Sequence, residues 1–354
     1  MSKVVVAMSG GVDSSVAAAL LKQQGHDVTG MMLRLWSEPG KEDSNRCCTP
    51  DAMAGARRVA AQLDIPFYVV DAKQVFHATV VQAFLEGYAR GVTPNPCLVC
   101  NRSIRWEYLL DHALALGAEF MATGHYVRRR MAGDGRTVQL LRAVDPAKDQ
   151  SYVLHVLTQE KLARSLFPVG EYPKTEIRRM AADFGLPTAA RTDSQDLCFL
   201  AGEDYRDFLR RHAAGISRPG PIVTTGGEVI GEHTGLANYT IGQRKGLGVA
   251  SPVPLYVMEK DVAGNALVVG TGKELGRSEL IATAVHWQAG QPPSGPVRAA
   301  VKIRYTARPV PAEVTPVEDG TARVRFAGPQ RDITPGQAAV FYDGDLLLGG
   351  GTIR

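Results

Sequence analysis

A strand, a glycine turn and a helix follow one another at residues 4–21, and this order constrains the fold more than any other part of the chain. Residues 4–7 read VVVA, a run rich in β-branched residues that predicts a buried strand. Residues 9–11 read SGG and predict a turn, and a helix-forming run follows from Val16 until Gly25. Backbone N–H groups converge at such a helix start, where the helix dipole adds positive charge. The segment therefore predicts an anion site suited to phosphate.

The glycine turn differs from the two commonest phosphate-binding patterns. It lacks the lysine of GxxxxGK[ST], and it is not GxGxxG. The sequence SGGVDSS at residues 9–15 instead resembles the pyrophosphate loop of N-type ATP pyrophosphatases, which adenylate an oxygen atom of the substrate and release pyrophosphate. The structural alternative is a strand–helix turn capped by its serines.

Length and composition limit the class of protein. A chain of 354 residues with 45% hydrophobic residues predicts two or three globular domains. No stretch approaches the roughly 20 apolar residues of a membrane span, so we expect a cytoplasmic protein. The net charge of +4 permits nucleic-acid binding without requiring it, and five cysteines in such a chain favour reduced thiols over a disulfide framework.

Strand and helix patterns alternate through residues 1–210, including a helix near residues 106–116, which predicts an α/β domain with a parallel sheet. Ligands of such sheets bind at the carboxyl ends of the strands. Glycine, proline and short strands dominate afterwards, predicting a small β-rich domain at residues 211–278 and a C-terminal antiparallel β-barrel at residues 279–354. Barrel strands are predicted at residues 297–305, 322–326, 338–342 and 346–348.

Cysteines provide the candidate chemistry. Cys97 and Cys100 form a CxxC pair after a proline-bounded turn, and Cys198 lies in DSQDLCF. Thiols near a helix start, beside Arg102 and Arg105, should have lowered pKa values. The pair could hold zinc, act as a redox site or deliver sulfur; a zinc site would need further ligands, and a thioredoxin-like context is missing. Residues 47–48, a second pair of cysteines in a polar loop, have no assigned task.

The whole chain resembles the bacterial-type tRNA-specific 2-thiouridylases. The resemblance is carried by AMSGGVDSS, CCTPDAMAGARRVAAQLDIPFYVVD, GVTPNPCLVCN, MATGHY, KDQSY, FPVGEYPKTEIRRMA, DSQDLCF, ANYTIGQRKGLG, KIRYTARPVPA and TPGQAAVFY. These segments extend from residue 7 to residue 342. The resemblance implies ATP-dependent thiolation of C2 of the tRNA wobble uridine.

The family's functional positions map onto this chain residue by residue. The resemblance implies an ATP site at Ala7, Met8, Ser9, Gly10, Gly11, Val12, Asp13, Ser14, Leu33 and Gly124. It implies that Cys100 is the nucleophile, that Cys198 carries a persulfide, and that Asn95, Pro96 and Cys97 line the target base. It implies tRNA contacts at His125, Lys148, Asp149, Gln150, Arg304, Tyr305 and Gln337.

The implied reaction uses ATP and Mg²⁺ to adenylate the uridine O2, so that AMP can leave when sulfur arrives from a persulfide donor or relay protein. A Cys100–Cys198 disulfide would remain when Cys100 releases sulfide from the persulfide. Family members often carry aspartate where this chain has Cys97. Three cysteines could instead hold a [4Fe–4S] cluster, with Cys97, Cys100 and Cys198 as ligands.

Each implied role has an alternative. Without the resemblance, His125 would be interpreted as a packed histidine, and Lys148 and Gln150 as ordinary residues at a helix start. Arg304 and Tyr305 would be interpreted as a surface pair, and Gln337 as part of a turn. Two other functions also fit parts of the sequence: an ATP pyrophosphatase acting on a small molecule, for which Cys100 and Cys198 are unnecessary, and a non-enzymatic tRNA-binding protein with a vestigial loop.

Overall fold

The computed structural model of the chain describes residues 1–41, 49–192, 197–213, 215–331 and 333–354. The cysteines at residues 47–48 and the DSQD part of the DSQDLCF segment therefore lie outside the described residues. No helix within the described residues is both long and apolar enough to cross a bilayer.

The N-terminal part alternates strands with helices. Its strands are β1 Lys3–Ala7, β2 Asp27–Arg34, β3 Phe67–Asp71, β4 Phe120–Thr123, β5 Val127–Met131, β6 Val138–Arg142 and β7 Ser165–Leu166. Its helices as far as residue 115 are α1 Val12–Gln23, α2 Pro50–Gln62, α3 Lys73–Phe76, α4 Gln82–Ala89, α5 Pro96–Val99 and α6 Leu110–Ala115. The π-helical stretches His77–Val81 and Cys100–Leu109 join α3 to α4 and α5 to α6. The later helices are α7 Ser151–Leu154, α8 Gln159–Ala163, α9 Lys174–Asp183 and α10 Tyr205–His212.

Five of these strands form a parallel sheet in the order β3-β2-β1-β4-β7. Its central strand is buried on both faces: Val4 and Val6 pack with α1 and α2, whereas Val5 packs on the other face with α6. This two-residue alternation explains why the run is apolar throughout. The predicted parallel α/β domain is confirmed.

The central region forms a small sheet of its own. Strands β8 Gly220–Thr224, β9 Val229–His233, β10 Leu255–Asp261 and β11 Ala266–Thr271 lie in the order β10-β11-β8-β9. Ile222, Val257, Leu267 and Val269 are fully buried in its separate core.

The C-terminal strands close into a six-stranded barrel. They are β12 Arg277–Trp287, β13 Val297–Lys302, β14 Val310–Val317, β15 Thr321–Gln330, β16 Ala338–Asp343 and β17 Leu346–Ile353. Closure comes from pairing of β12 with β17, which confirms the predicted antiparallel barrel. The sequence reasoning missed β12 and β14. In β14, Pro311 and Pro316 lie in an interior strand that proline usually avoids.

The barrel is joined to the N-terminal domain through a shared core. The β5–β6 hairpin extends the barrel sheet through pairing of Leu141 with Leu346. The Tyr152 hydroxyl donates to Ala338 O at 3.0 Å, and Tyr342 packs in the cluster that contains Val5. These contacts fix the barrel relative to the sheet, while the domain boundaries at residues 210 and 278 stay predictions.

Candidate functional site

Three adjacent strand ends bring together much of the predicted ATP site. Ala7 pairs with Met31 on one side and with Thr123 on the other. Met8 N donates to Met31 O at 2.8 Å, which keeps the chain beyond β1 close to the end of β2. Leu33 and Gly124 follow these paired positions on β2 and β4. The predicted ATP residues therefore meet at the carboxyl edge of the sheet.

The glycine turn presents the start of α1 as an open anion site. Gly10 has φ +73°, and a β-carbon there would lie 2.3 Å from Ala52 O, so this position requires glycine. Ser14 Oγ accepts a bond from Ser9 N and donates to Gly11 O, each at 3.2 Å. No side chain among the described residues caps the first turn of α1. Its backbone N–H groups can therefore bind phosphate.

Gly124 packs directly on the first turn of α1. A β-carbon at this glycine would lie 2.7 Å from Ser14 N and 2.8 Å from the carbonyl carbon of Asp13. The absence of a side chain lets β4 end against the helix that carries the anion site. Position 124 thus shapes this site through close backbone packing.

We expect Gly124→Ala to slow adenylation about 100-fold, because the added methyl group must displace the first turn of α1 by roughly 1 Å. Pyrophosphate release measured with saturating tRNA tests this expectation. Gly133→Ala is the matched control, since a β-carbon there meets nothing within 4 Å. Equal rates for the two variants would contradict the packing role.

Basic side chains that the sequence reasoning missed converge on the glycine turn. Lys174 Nζ donates to both carboxylate oxygens of Asp13, at 2.7 and 2.9 Å, and its side chain is 9% exposed. The Tyr126 hydroxyl donates to the same carboxylate at 2.7 Å. Arg191 Nη1 donates to Gly10 O at 3.0 Å. The turn therefore carries one cationic group at Gly10 and another at Asp13, and both favour an anionic ligand.

The candidate thiols lie at the start of a helix that begins earlier than predicted. The helix near residues 106–116 in fact starts at Pro96, with Asn95 Oδ1 accepting from Cys97 N at 3.2 Å. Cys97 is consequently exposed in the first turn, and Cys100 is buried one turn later.

Cys198 and Cys100 belong to the surroundings of one apolar cluster. This cluster contains Cys100, Phe84 and Phe199, and Cys198 packs against it. Cys97 is exposed, Cys100 is buried and Cys198 is partly exposed. Leu33 packs against the same cluster, so the predicted ATP edge borders the thiols.

The three thiols do not form a metal site. Within the described ranges, which include all three cysteines, no three His, Cys, Asp or Glu side chains are arranged to hold a metal ion. An iron–sulfur cluster needs its thiolates around one centre. The described geometry does not fit the cluster alternative.

The predicted target-base loop is held by the barrel. Thr93 N donates to Pro335 O, and Gln337 Nε2 donates to Thr93 O, both at 2.9 Å. Asn95 and Pro96 follow within three residues and border a cavity of about 440 Å³. Its other lining residues include Tyr88, Tyr205 and Gln337. A cavity of this size can accept a nucleobase.

The predicted tRNA residues fall into exposed and buried groups. Tyr305 is 42% exposed, and Lys148 and Gln150 are partly exposed. Arg304 Nη2 donates to Ile241 O at 2.9 Å, which links the barrel to the central domain.

Asp149 and His125 have structural surroundings instead. The Asp149 side chain is 1% exposed and accepts from Ala143 N and Ser151 N, at 3.1 and 3.2 Å. The His125 ring is 2.7 Å from Thr123 Oγ1 and lies beside Trp106. Burial, and then the charge of Arg105, hold the pKa of His125 well below 6.5, so its ring is neutral at pH 7. Contact of either side chain with tRNA stays a prediction.

A second buried imidazole should make stability depend on pH. Burial lowers the pKa of His155 from 6.5 to about 4, although a hydrogen bond with Tyr152 O acts in the opposite direction and raises it. Between these values the unfolded chain binds a proton that the folded protein does not. The free energy of unfolding should therefore fall by about 3 kcal/mol as pH drops from 6.5 to 4.

Denaturant unfolding at pH 7, 5.5 and 4 tests this expectation for the wild type and His155→Gln. The amide cannot titrate and should remove that part of the pH dependence. The same pH dependence in both proteins would contradict the assignment to His155.

Family models match the chain in three parts. A tRNA methyl transferase HUP domain matches residues 2–202, a tRNA methyl transferase PRC-barrel domain residues 206–271, and an aminomethyltransferase beta-barrel domain residues 277–353. The first model alone spans more than half of the chain.

Curated relatives match over the full length. A tRNA-specific 2-thiouridylase of Roseiflexus castenholzii is 50% identical, covering 100% of this chain and 99% of that protein. One from Pelotomaculum thermopropionicum is 47% identical, covering 100% and 97%.

A solved 4-thiouridine synthetase–RNA complex with bound ATP is 16% identical, covers 59% of this chain and 50% of that chain, and has a TM-score of 0.37. Assignment to a family therefore rests on the full-length relatives.

Proposed function

The chain belongs to the family of tRNA-specific 2-thiouridylases, and we propose that it uses ATP to replace O2 of a tRNA wobble uridine with sulfur. The observation that carries the proposal is the shared edge of the sheet. The open start of α1 lies at this edge, and Leu33 connects it to the cluster containing Cys100. Phosphate chemistry and sulfur chemistry can therefore act on one base.

The first step is adenylation. ATP binds with its phosphates at the start of α1, and uridine O2 attacks the α-phosphorus while the bond to pyrophosphate breaks. Lys174 and the N–H groups of the glycine turn stabilise the departing negative charge. Mg²⁺ enters with ATP and needs few protein ligands, so Asp13 would be its candidate carboxylate. The base itself occupies the cavity beside Asn95 and Pro96.

The second step moves sulfur. An external persulfide protein loads Cys198, whose terminal sulfur attacks C2, and the bond from C2 to the AMP oxygen breaks. Cys100 then attacks the Cys198 sulfur, which leaves the thiocarbonyl on the base and a Cys100–Cys198 disulfide. If Cys100 attacks first, free sulfide attacks C2 and the same disulfide forms. A thiol reductant restores both cysteines.

The alternatives are not favoured. Relatives named for tRNA thiolation cover this chain end to end, which argues against a small-molecule pyrophosphatase or a non-enzymatic tRNA-binding protein. The arrangement of the described thiols gives no support to the [4Fe–4S] route. A cytoplasmic location and a persulfide relay partner belong to the proposal.

Release of pyrophosphate from ATP tests the first step. We expect release with an unmodified tRNA transcript that carries uridine at the wobble position, and none with the same transcript carrying cytidine. Asp13→Ala, which removes the partner of Lys174, should abolish it. Release that is independent of tRNA would contradict uridine as the group that is adenylated.

A further inference from the structure

A glycine-rich loop of the central domain has a fixed shape that no role described above uses. Residues 242–248 read GQRKGLG, and Gly242, Gly246 and Gly248 have φ of +83°, +76° and +73°. Residues that carry a side chain rarely adopt such backbone angles, so all three positions favour glycine. At residues 246–248, left-handed glycines flank Leu247, and such alternation of backbone conformation turns neighbouring N–H groups toward one side, as in anion-binding loops.

Contacts at both ends of the loop hold it in place. Gly242 N donates to Val257 O at 2.9 Å, and Gln243 Nε2 donates to Lys245 O at 3.0 Å. Leu247 is buried in the central core, with 6% of its surface exposed. The loop is therefore anchored on either side of its tip.

Two cations occupy the tip. Arg244 and Lys245 are both exposed, and neither side chain forms a hydrogen bond or ion pair with any described residue. A cavity of about 400 Å³ lies beside them, lined by residues that include Gly246, Gly248 and Ser251. Arg244 is charged and no carboxylate lines the cavity, all of whose lining residues are described. The surface is thus positive and accessible to an anion.

The loop continues the predicted tRNA surface. Ile241, the residue before it, accepts the hydrogen bond from Arg304. Arg244 is three residues farther along the chain, at most about 11 Å away. Arg304 Nη2 also donates to Thr334 Oγ1, three residues before Gln337, and the Gln337 side chain donates to Thr93 O in the target-base loop. The cationic tip therefore lies on the side of the molecule where the barrel meets the central domain.

From these observations we propose that loop 242–248 binds the phosphate backbone of the tRNA, with Arg244 and Lys245 each contacting a phosphate. The inference rests on the proposed function and adds a tRNA-binding element on the central domain. Regularly spaced phosphates fit two adjacent cations, and the glycines at positions 242 and 246 allow close approach of the backbone. Contacts of this kind add affinity without reading sequence.

The test compares binding of an unmodified tRNA transcript to the wild type and to Arg244→Ala/Lys245→Ala over a range of salt concentrations. Loss of two phosphate contacts should weaken binding about tenfold or more and reduce the slope of log K against log salt by about 1.5 to 2. At saturating tRNA the rate of 2-thiouridine formation should be retained. Arg57→Ala/Arg58→Ala on α2 removes the same charge from another exposed pair and should leave the slope unchanged.

Unchanged affinity and slope in the loop variant would overturn the inference while leaving the proposed function intact. Unchanged tRNA binding with slower sulfur delivery from a persulfide protein would also overturn it, assigning the loop to that protein. Arg244→Gln/Lys245→Gln, which keeps side-chain length, should weaken binding to the same extent. A wild-type protein that binds no tRNA would instead overturn the proposed function.

Discussion

Cys198→Ser should abolish formation of 2-thiouridine, by at least about 1,000-fold, while tRNA-dependent release of pyrophosphate continues. A serine hydroxyl cannot carry a persulfide, whereas the ATP site lies on different elements and does not need this thiol. The measurement combines mass spectrometry of digested tRNA with a pyrophosphate assay on the same reaction. The adenylated tRNA should accumulate or hydrolyse without thiolation.

Two further variants sharpen this expectation. Cys100→Ser should also abolish thiolation, because the thiol that releases sulfur from Cys198 is lost. Cys97→Ser should retain measurable thiolation, within about 100-fold of the wild type. Family members often carry aspartate at this position, and acid–base catalysis from there would be worth about that much. Loss of both activities in Cys198→Ser would indicate a structural role for the residue, and equal losses in all three variants would favour iron ligation.

Lys174→Met should slow pyrophosphate release by about 100- to 1,000-fold, the usual cost of removing one group that stabilises developing charge. Lys174 Nζ lies 2.7 Å from Asp13 in the first turn of α1, where the phosphates are proposed to bind. Steady-state rates with saturating ATP and tRNA measure the effect on chemistry. Lys174→Arg should recover part of the rate, because it keeps the charge with a different shape.

Lys161→Met provides the matched control for this prediction. Lys161 also forms an ion pair, 2.9 Å from Glu107, but that pair lies on α8 and the Cys100–Leu109 stretch, away from the glycine turn. Loss of this ion pair should leave the rate of pyrophosphate release within a few-fold of the wild-type rate. An unchanged rate in Lys174→Met, with an unchanged melting temperature, would exclude this lysine from adenylation.

The sequence was sufficient for features that depend on local patterns. The buried run at residues 4–7 and the glycine turn after it predicted β1, the start of α1 and the parallel sheet. Strand patterns near the C-terminus predicted the barrel, yet prolines at positions 311 and 316 concealed β14. Pro96 was interpreted as part of a turn, although proline suits the first position of a helix, so the helix starts earlier than predicted.

Features that depend on tertiary contacts could not be found in this way. Lys174 is 161 residues from Asp13 in sequence, and Arg191 is 181 residues from Gly10. Neither has a local pattern that points to phosphate. The burial of Asp149 likewise follows from packing of α7 and β6 under the barrel, which the motif KDQSY does not reveal. The resemblance supplied roles for residues, whereas only three-dimensional placement separates exposed Tyr305 from buried Asp149.

The most direct test of the central claim is thiolation of an unmodified tRNA transcript by iron-free protein with ATP, Mg²⁺ and a persulfide donor. The readout is 2-thiouridine in the digested tRNA, measured by mass spectrometry. The persulfide account predicts product at the wobble position, dependent on ATP and on Cys198. No product from iron-free protein, with activity restored by anaerobic reconstitution of an iron–sulfur cluster, would contradict it.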